Sequence, residues 1–129
     1  MRSVAPDVGV LVVDDHAHFR RTVRDLVDAT PGFVALGEAA SGEEALRKIA
    51  SLEPDLVLMD VRMPGLDGIE TARRITAERP HPTVILISMD DRRTLAQTAD
   101  SCGAATFLCK RDVSTAVLRR LWAEHGSAA

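Results

Sequence analysis

Five short apolar runs punctuate the chain: "VGVLVV" (8–13), "VALGEA" (34–39), "LVLM" (56–59), "TVILI" (83–87) and "ATFLC" (105–109). Each has the length of a strand and is bounded by turn-forming residues, which predicts buried strands, although periodicity alone does not exclude short helices. Between the runs the apolar residues change to helical spacing. Phe19, Val23, Leu26 and Val27 form one stripe, and Ala45, Leu46, Ile49 and Leu52 a second. Ile69, Ala72 and Ile75 form a third, and Val117, Leu118, Leu121 and Trp122 a last. Such stripes bury one side of a helix against a core. Ser41 with Glu44 has capping-box spacing, and Asp67 with Glu70 makes a similar acidic start. The stretch Asp91–Ser101, "DRRTLAQTADS", predicts the weakest helix, since its apolar face is little more than Leu95 and Ala99. So thinly anchored an element opens at low free-energy cost, which suits a moving part.

Strand alternating with helix five times predicts an α/β domain, a doubly wound parallel sheet covered on both faces. Nothing repeats at a fixed period and no Pro/Gly-rich linker divides the chain. One domain over residues 1–129, with its core at about 9–122 and no output domain, is therefore expected. A chain of 129 residues is long enough to bury one proper core.

Charge and composition remove some functions. The net charge is −3, and Asp and Glu interleave with the Arg pairs at 20–21, 73–74, 92–93 and 119–120. That argues against direct nucleic-acid binding and for solvated helix faces. No apolar run approaches a membrane span, and "MRSVAPDVG" lacks the pattern of a signal peptide, so a cytoplasmic protein is expected. Cys102 and Cys109 make neither a zinc pattern nor a disulfide framework, and read as small core residues. The four histidines show no metal spacing, though His16 is near enough to two acids to tune them. Lysine is scarce: fourteen Arg stand against only Lys48 and Lys110.

The chemistry concentrates where the runs end. The first ends in Asp14-Asp15, the third in Asp60, the fourth in Ser88 and the fifth in Lys110. In a parallel sheet all carboxyl ends share one edge, and ligands bind there at the topological switch point. For strand order 2-1-3-4-5 that point lies between strands 1 and 3, the two tipped with carboxylates. Three acids in one cleft raise one another's pKa unless a cation joins them. A hard divalent ion fits, and Mg²⁺ fits best, because it binds one or two carboxylates and is completed by waters and phosphate oxygens. One acid could then attack a phosphoryl group while a hydroxyl and an ammonium hold the transferred oxygens. Taken singly, each residue has a plainer explanation. Asp15 could cap the first helix, Asp60 could belong to the Met-Pro-Gly turn, Ser88 could be a loop serine and Lys110 a solvated lysine. Taken together, those explanations need four coincidences at one sheet edge.

"VLVVDDH", "GEAASGEEAL", "PDLVLMDVRMPGLDGIE", the serine of "VILIS" and "GAATFLCK", in this order, resemble the receiver domain of bacterial two-component response regulators. The resemblance runs from about Gly9 to about Leu121. The details "DDH…FRR", "GEA" and "MDVRMPGLDGIE" are most similar to receivers attached to LuxR-type helix-turn-helix domains. It implies a flavodoxin-like (βα)5 fold and a phosphorylation-controlled switch. Asp60 is then the phosphoacceptor, taking phosphate from a sensor histidine kinase. Asp14, Asp15, Asp60 and the backbone carbonyl of Arg62 are implied to hold Mg²⁺, Asp14 largely through a water. Ser88 and Lys110 are implied to bind the phosphoryl group, and Phe107 to be the switch aromatic. The surface of the fourth helix, fifth strand and fifth helix is the part implied to change. Further partners are a downstream protein or a DNA-binding domain missing from this chain, with a homodimer through the first and fifth or the fourth and fifth helices left open.

Two departures matter. Met89 stands where the family usually has a small residue, and is expected to cover part of the phosphoryl site. Phe107 has no hydroxyl, so any switch must work by packing. Two other classes compete with the receiver reading. A degenerate receiver, acting as a phosphorylation-independent interaction module, is disfavoured by the intact acid, Ser and Lys set. An aspartate-nucleophile phosphohydrolase typically needs a second acid two residues after the nucleophile, where this chain has Arg62. The expected protein is thus no enzyme, beyond catalysing its own phosphorylation and dephosphorylation.

Overall fold

The computed structural model describes residues 7–78, 82–89 and 101–126. Strands β1 (Val8–Val13), β2 (Phe33–Ala39), β3 (Leu56–Asp60), β4 (Thr83–Ser88) and β5 (Thr106–Cys109) form one parallel sheet in the order β2-β1-β3-β4-β5. Helices α1 (Ala17–Asp28), α2 (Gly42–Leu52), α3 (Gly68–Glu78) and α4 (Thr115–His125) cover it. The helix predicted over Asp91–Ser101 lies outside the described residues apart from Ser101, which is helical together with Cys102. Each predicted strand forms within one residue of its apolar run.

The sheet separates two layers by simple alternation. Val10, Val12, Leu56, Leu58, Ile85, Ile87 and Leu108 face Val23 and Val27 of α1 and Leu118 and Leu121 of α4. The intervening residues, among them Leu11, Val13, Val57, Met59, Val84 and Leu86, face Ala45 and Ile49 of α2 and Ala72 and Ile75 of α3. The central strand β3 is buried along its whole length, as a strand covered on both faces must be. Burying even one such Leu removes enough apolar surface to contribute about 2 kcal/mol. The predicted stripes are buried or half-buried except at Leu52, which the end of α2 leaves exposed. Cys102 and Cys109 are both free and buried.

The caps follow the expected residues with one variation. The Ser41 hydroxyl accepts from the Glu44 N–H at 3.1 Å, but the Glu44 carboxylate reaches past it to the Ala40 N–H at 2.8 Å. Asp67 accepts from the Glu70 N–H at 2.8 Å and starts α3. That helix begins against β3: the Gly68 N–H donates to the Val61 carbonyl at 2.9 Å, and a Cβ on Gly68 would overlap the Asp60 carbonyl oxygen. The chain after Asp60 can turn back so closely only because residue 68 has no side chain. Among the described residues no helix is long and apolar enough to cross a membrane.

Candidate functional site

Alternation also explains which side chains meet. Asp14, Asp60 and Lys110 stand two residues beyond Val12, Leu58 and Leu108, so they continue the face that packs on α1. Past the carboxyl ends of β1, β3 and β5 that face becomes a polar cluster. The Lys110 ammonium lies 2.9 Å from Asp14 Oδ2 and 3.7 Å from Asp60 Oδ2. Asp14, Asp60 and Ser88 are buried, and Asp15 is half-buried. Ser88 and Phe107 continue the opposite face. Ser88 pairs in register with Cys109, and Leu86 with Phe107, so Phe107 sits one same-face step below the position beside Ser88. It is half-buried and packs on the layer that holds Leu86.

Burial makes ionisation of Asp60 costly. Loss of water raises its pKa from 3.8 to about 6, with the neighbouring Asp14 charge as the second cause and Asp15 a lesser one. Lys110 and the Arg62 N–H, which donates to the Asp60 carboxylate, pull in the opposite direction. Crowding of the acids, expected from the sequence, thus acts here behind desolvation.

Asp15 does not cap α1. The helix starts at His16 with no side-chain cap, and Asp14 Oδ1 instead accepts from the His16 N–H at 2.8 Å. Asp15 Oδ1 is buried without a hydrogen bond. The His16 ring nitrogen Nδ1 lies 3.2 Å from both Asp14 Oδ1 and Asp15 Oδ1, so His16 belongs to the cluster. Ligand atoms of Asp14, Asp15, His16 and Asp60 all lie within 4.8 Å of one another. An orphaned buried carboxylate oxygen, an acid held unfavourably as an anion and a donor set dominated by carboxylates all fit a hard divalent cation.

Two residues of α1 complete the surroundings. The Arg20 guanidinium donates to the Asp14 carbonyl at 2.6 Å and is itself held by Glu38 at 2.8 Å. Glu38 also receives Arg24 at 2.6 Å, which holds its carboxyl below the usual range. The Phe19 ring lies under Lys110, with Nζ 4.5 Å from its centroid. In the sequence Phe19 reads as a core position and Arg20 as one of a solvated pair. Both lie in the "FRR" of the family likeness, but none of these readings places them at the site. Their signal was the pitch of α1, whose first turn must lie over the end of β1. A cleft of about 230 Å³ opens among His16, Asp60, Arg62, Ser88, Met89 and Lys110. Met89 lines its rim yet is 79% exposed, so it flanks the opening rather than filling it.

The response regulator receiver domain family model matches residues 10–121. This chain belongs to the response regulator receiver family. As a receiver it is a phospho-accepting signalling switch of two-component systems. It is 43% identical over 99 residues to a protein-glutamate methylesterase/protein-glutamine glutaminase of Nocardioides sp., an alignment covering 77% of this chain and 27% of that protein. The chain therefore spans about a quarter of that relative's length. Among solved structures, the receiver domain of the putative response regulator NarL from Mycobacterium tuberculosis superposes with a TM-score of 0.83 at 34% identity, over 93% of this chain and 96% of that one. A LuxR-family response regulator from Aurantimonas sp. SI85-9A1 gives 0.83 at 30% identity, over 92% and 84%. The LuxR-type likeness read in the motifs thus recurs in three dimensions.

Proposed function

We propose that Asp60 is the phosphoacceptor of this receiver, and that the buried, electrostatically disfavoured carboxylate beside Lys110 is the observation that carries the assignment. A sensor histidine kinase is the donor. An Asp60 carboxylate oxygen forms the new P–O bond while the P–N bond of the phosphohistidine breaks, its electron pair leaving with the imidazole nitrogen. Asp14, Asp15, Asp60 and the Arg62 carbonyl would hold Mg²⁺, with His16 at their edge. When bound, the ion neutralises carboxylate and phosphoryl charge. Lys110, already between Asp14 and Asp60, moves its ammonium onto the phosphoryl oxygens, and the Ser88 hydroxyl donates to another. Any catalysis is confined to the domain's own phosphorylation and dephosphorylation, which take place in the cytoplasm.

Phosphorylation replaces a carboxylate by a group of about −1.5 to −2 charge with three strong acceptor oxygens. Drawing Ser88 toward it frees space on the face shared with Phe107, and the half-buried ring moves inward by packing alone. The surface around β5 and α4 then changes shape. A two-state element biased by a few kcal/mol is enough to shift its population strongly. That surface would address a downstream protein, a second copy or an attached domain. A DNA-binding domain follows from the LuxR-type likeness, and a methylesterase-type domain from the curated relative. The complete acid, Ser and Lys set counts against a degenerate module.

The test is intact-protein mass after incubation with acetyl phosphate and Mg²⁺. The wild type should gain one hydroxylamine-labile phosphoryl group, and Asp60→Asn none. A phosphorylated Asp60→Asn protein would overturn the assignment.

A further inference from the structure

We infer that Phe19 is a positioning residue for Lys110, a flat aromatic platform that keeps the ammonium beside the carboxylates before phosphate arrives. The inference rests on the reading of Lys110 as the group that pairs with the phosphoryl oxygens. Three contacts converge on Nζ: Asp14 at 2.9 Å, Asp60 at 3.7 Å, and the Phe19 ring with its centroid at 4.5 Å. The Lys110 side chain is only 11% exposed, so the attraction between the ammonium and the negative face of the ring is little weakened by water. Phe19 itself is anchored on the layer formed by Val23, Val27 and the sheet.

The two kinds of contact differ in a way that matters for phosphorylation. Asp14 holds Nζ at a point and competes with an incoming phosphoryl group. The ring attracts it from any point over its face within about 6 Å of the centroid, rather than at one atom. Lys110 can therefore slide from Asp14 toward a phosphorylated Asp60 while staying on Phe19. Lysine carries a flexible four-carbon stem, and the platform removes in advance much of the rotamer freedom that productive pairing costs. Phe19 lies on α1, ninety-one positions from Lys110 in sequence, and joins a stripe that a sequence reading assigns to the core alone.

The chain has two lysines, so isotope labelling of lysine yields two sets of side-chain signals, assigned with Lys48→Arg. In the wild type the Lys110 ε-methylene protons should resonate upfield of those of Lys48, shifted by the ring current. Phe19→Tyr should keep the shift and Phe19→Leu should abolish it. With phosphoramidate as donor at saturating Mg²⁺, Phe19→Leu should lower the maximal phosphorylation rate about fivefold, the scale of one partly desolvated cation–π contact. Half-saturation by the donor should not change, and Phe19→Tyr should restore the rate. In a Lys110→Met background Phe19→Leu should have no further effect. The platform is refuted if the wild-type Lys110 protons coincide with those of Lys48, a result that needs no variant to fold. It is also refuted if Phe19→Leu slows the Lys110→Met protein as much as the wild type. Absence of phosphorylation in every protein would instead overturn the acceptor reading, while the wild-type shift still decides the platform.

Discussion

Replacing Asp60 by Asn should stabilise the metal-free fold. The carboxyl is held at a pKa of about 6 against 3.8 for the ordinary group. A raised carboxyl pKa means that the folded state binds its proton more tightly than the unfolded chain does. The resulting stabilisation is complete below the unfolded value and is lost as pH rises through the folded one. By pH 7.5 the native protein carries the anion in a site that disfavours it. A shift of this size corresponds to about 3 kcal/mol of native-state cost. Asparagine keeps the shape, can still accept from the Arg62 N–H, and leaves Lys110 with Asp14 at 2.9 Å. In chelator-treated buffer at pH 7.5 the variant should therefore exceed the wild type by about 2–3 kcal/mol in urea unfolding, with an unchanged m-value. The gap should close on titration to pH 4. Added Mg²⁺ should stabilise the wild type far more than the variant, since only a cation bound to the native state contributes. A variant no more stable than wild type at pH 7.5, or a gap independent of pH, would refute the reasoning.

Other expectations follow from single contacts. Gly68→Ala forces a methyl against the Asp60 carbonyl and should cost about 1–3 kcal/mol by overpacking, measured by urea unfolding, while also slowing phosphorylation. Met89→Ala should speed phosphorylation by acetyl phosphate and autodephosphorylation only modestly, because Met89 flanks the cleft at 79% exposure; equal rates would remove it from the site. Ser41→Ala should lose the α2 cap and about 1 kcal/mol, with phosphorylation unaffected. Arg20→Met should weaken Mg²⁺ binding in calorimetry, as Asp14 loses the guanidinium that fixes its backbone.

Strand and helix positions were legible because two periodicities alternate cleanly along this chain. The strand tips could be read as one site because a parallel sheet brings its carboxyl ends together. Parity along the strands could have separated Asp14, Asp60 and Lys110 on one face from Ser88 and Phe107 on the other. What could not be read was the contribution of α1. Phe19 satisfies the core stripe and also lies under Lys110, and an apolar pattern cannot distinguish the two duties. His16 was read only as near enough to the acids to tune them, and the turn after β1 does fold its ring back onto Asp14 and Asp15. Arg20 belonged to a pair read as solvated, but Glu38 on β2 holds it against the Asp14 backbone. Leu52 shows the converse, an apolar residue in register with its stripe but past the point where the core ends.

The most direct test is to trap the acyl phosphate chemically. After phosphorylation the protein is reduced with borohydride, which converts an aspartyl phosphate to homoserine, and its peptides are sequenced by tandem mass spectrometry. Homoserine at position 60 alone is the predicted result. Homoserine at Asp14 or Asp15, or at any other acid, would contradict the central claim.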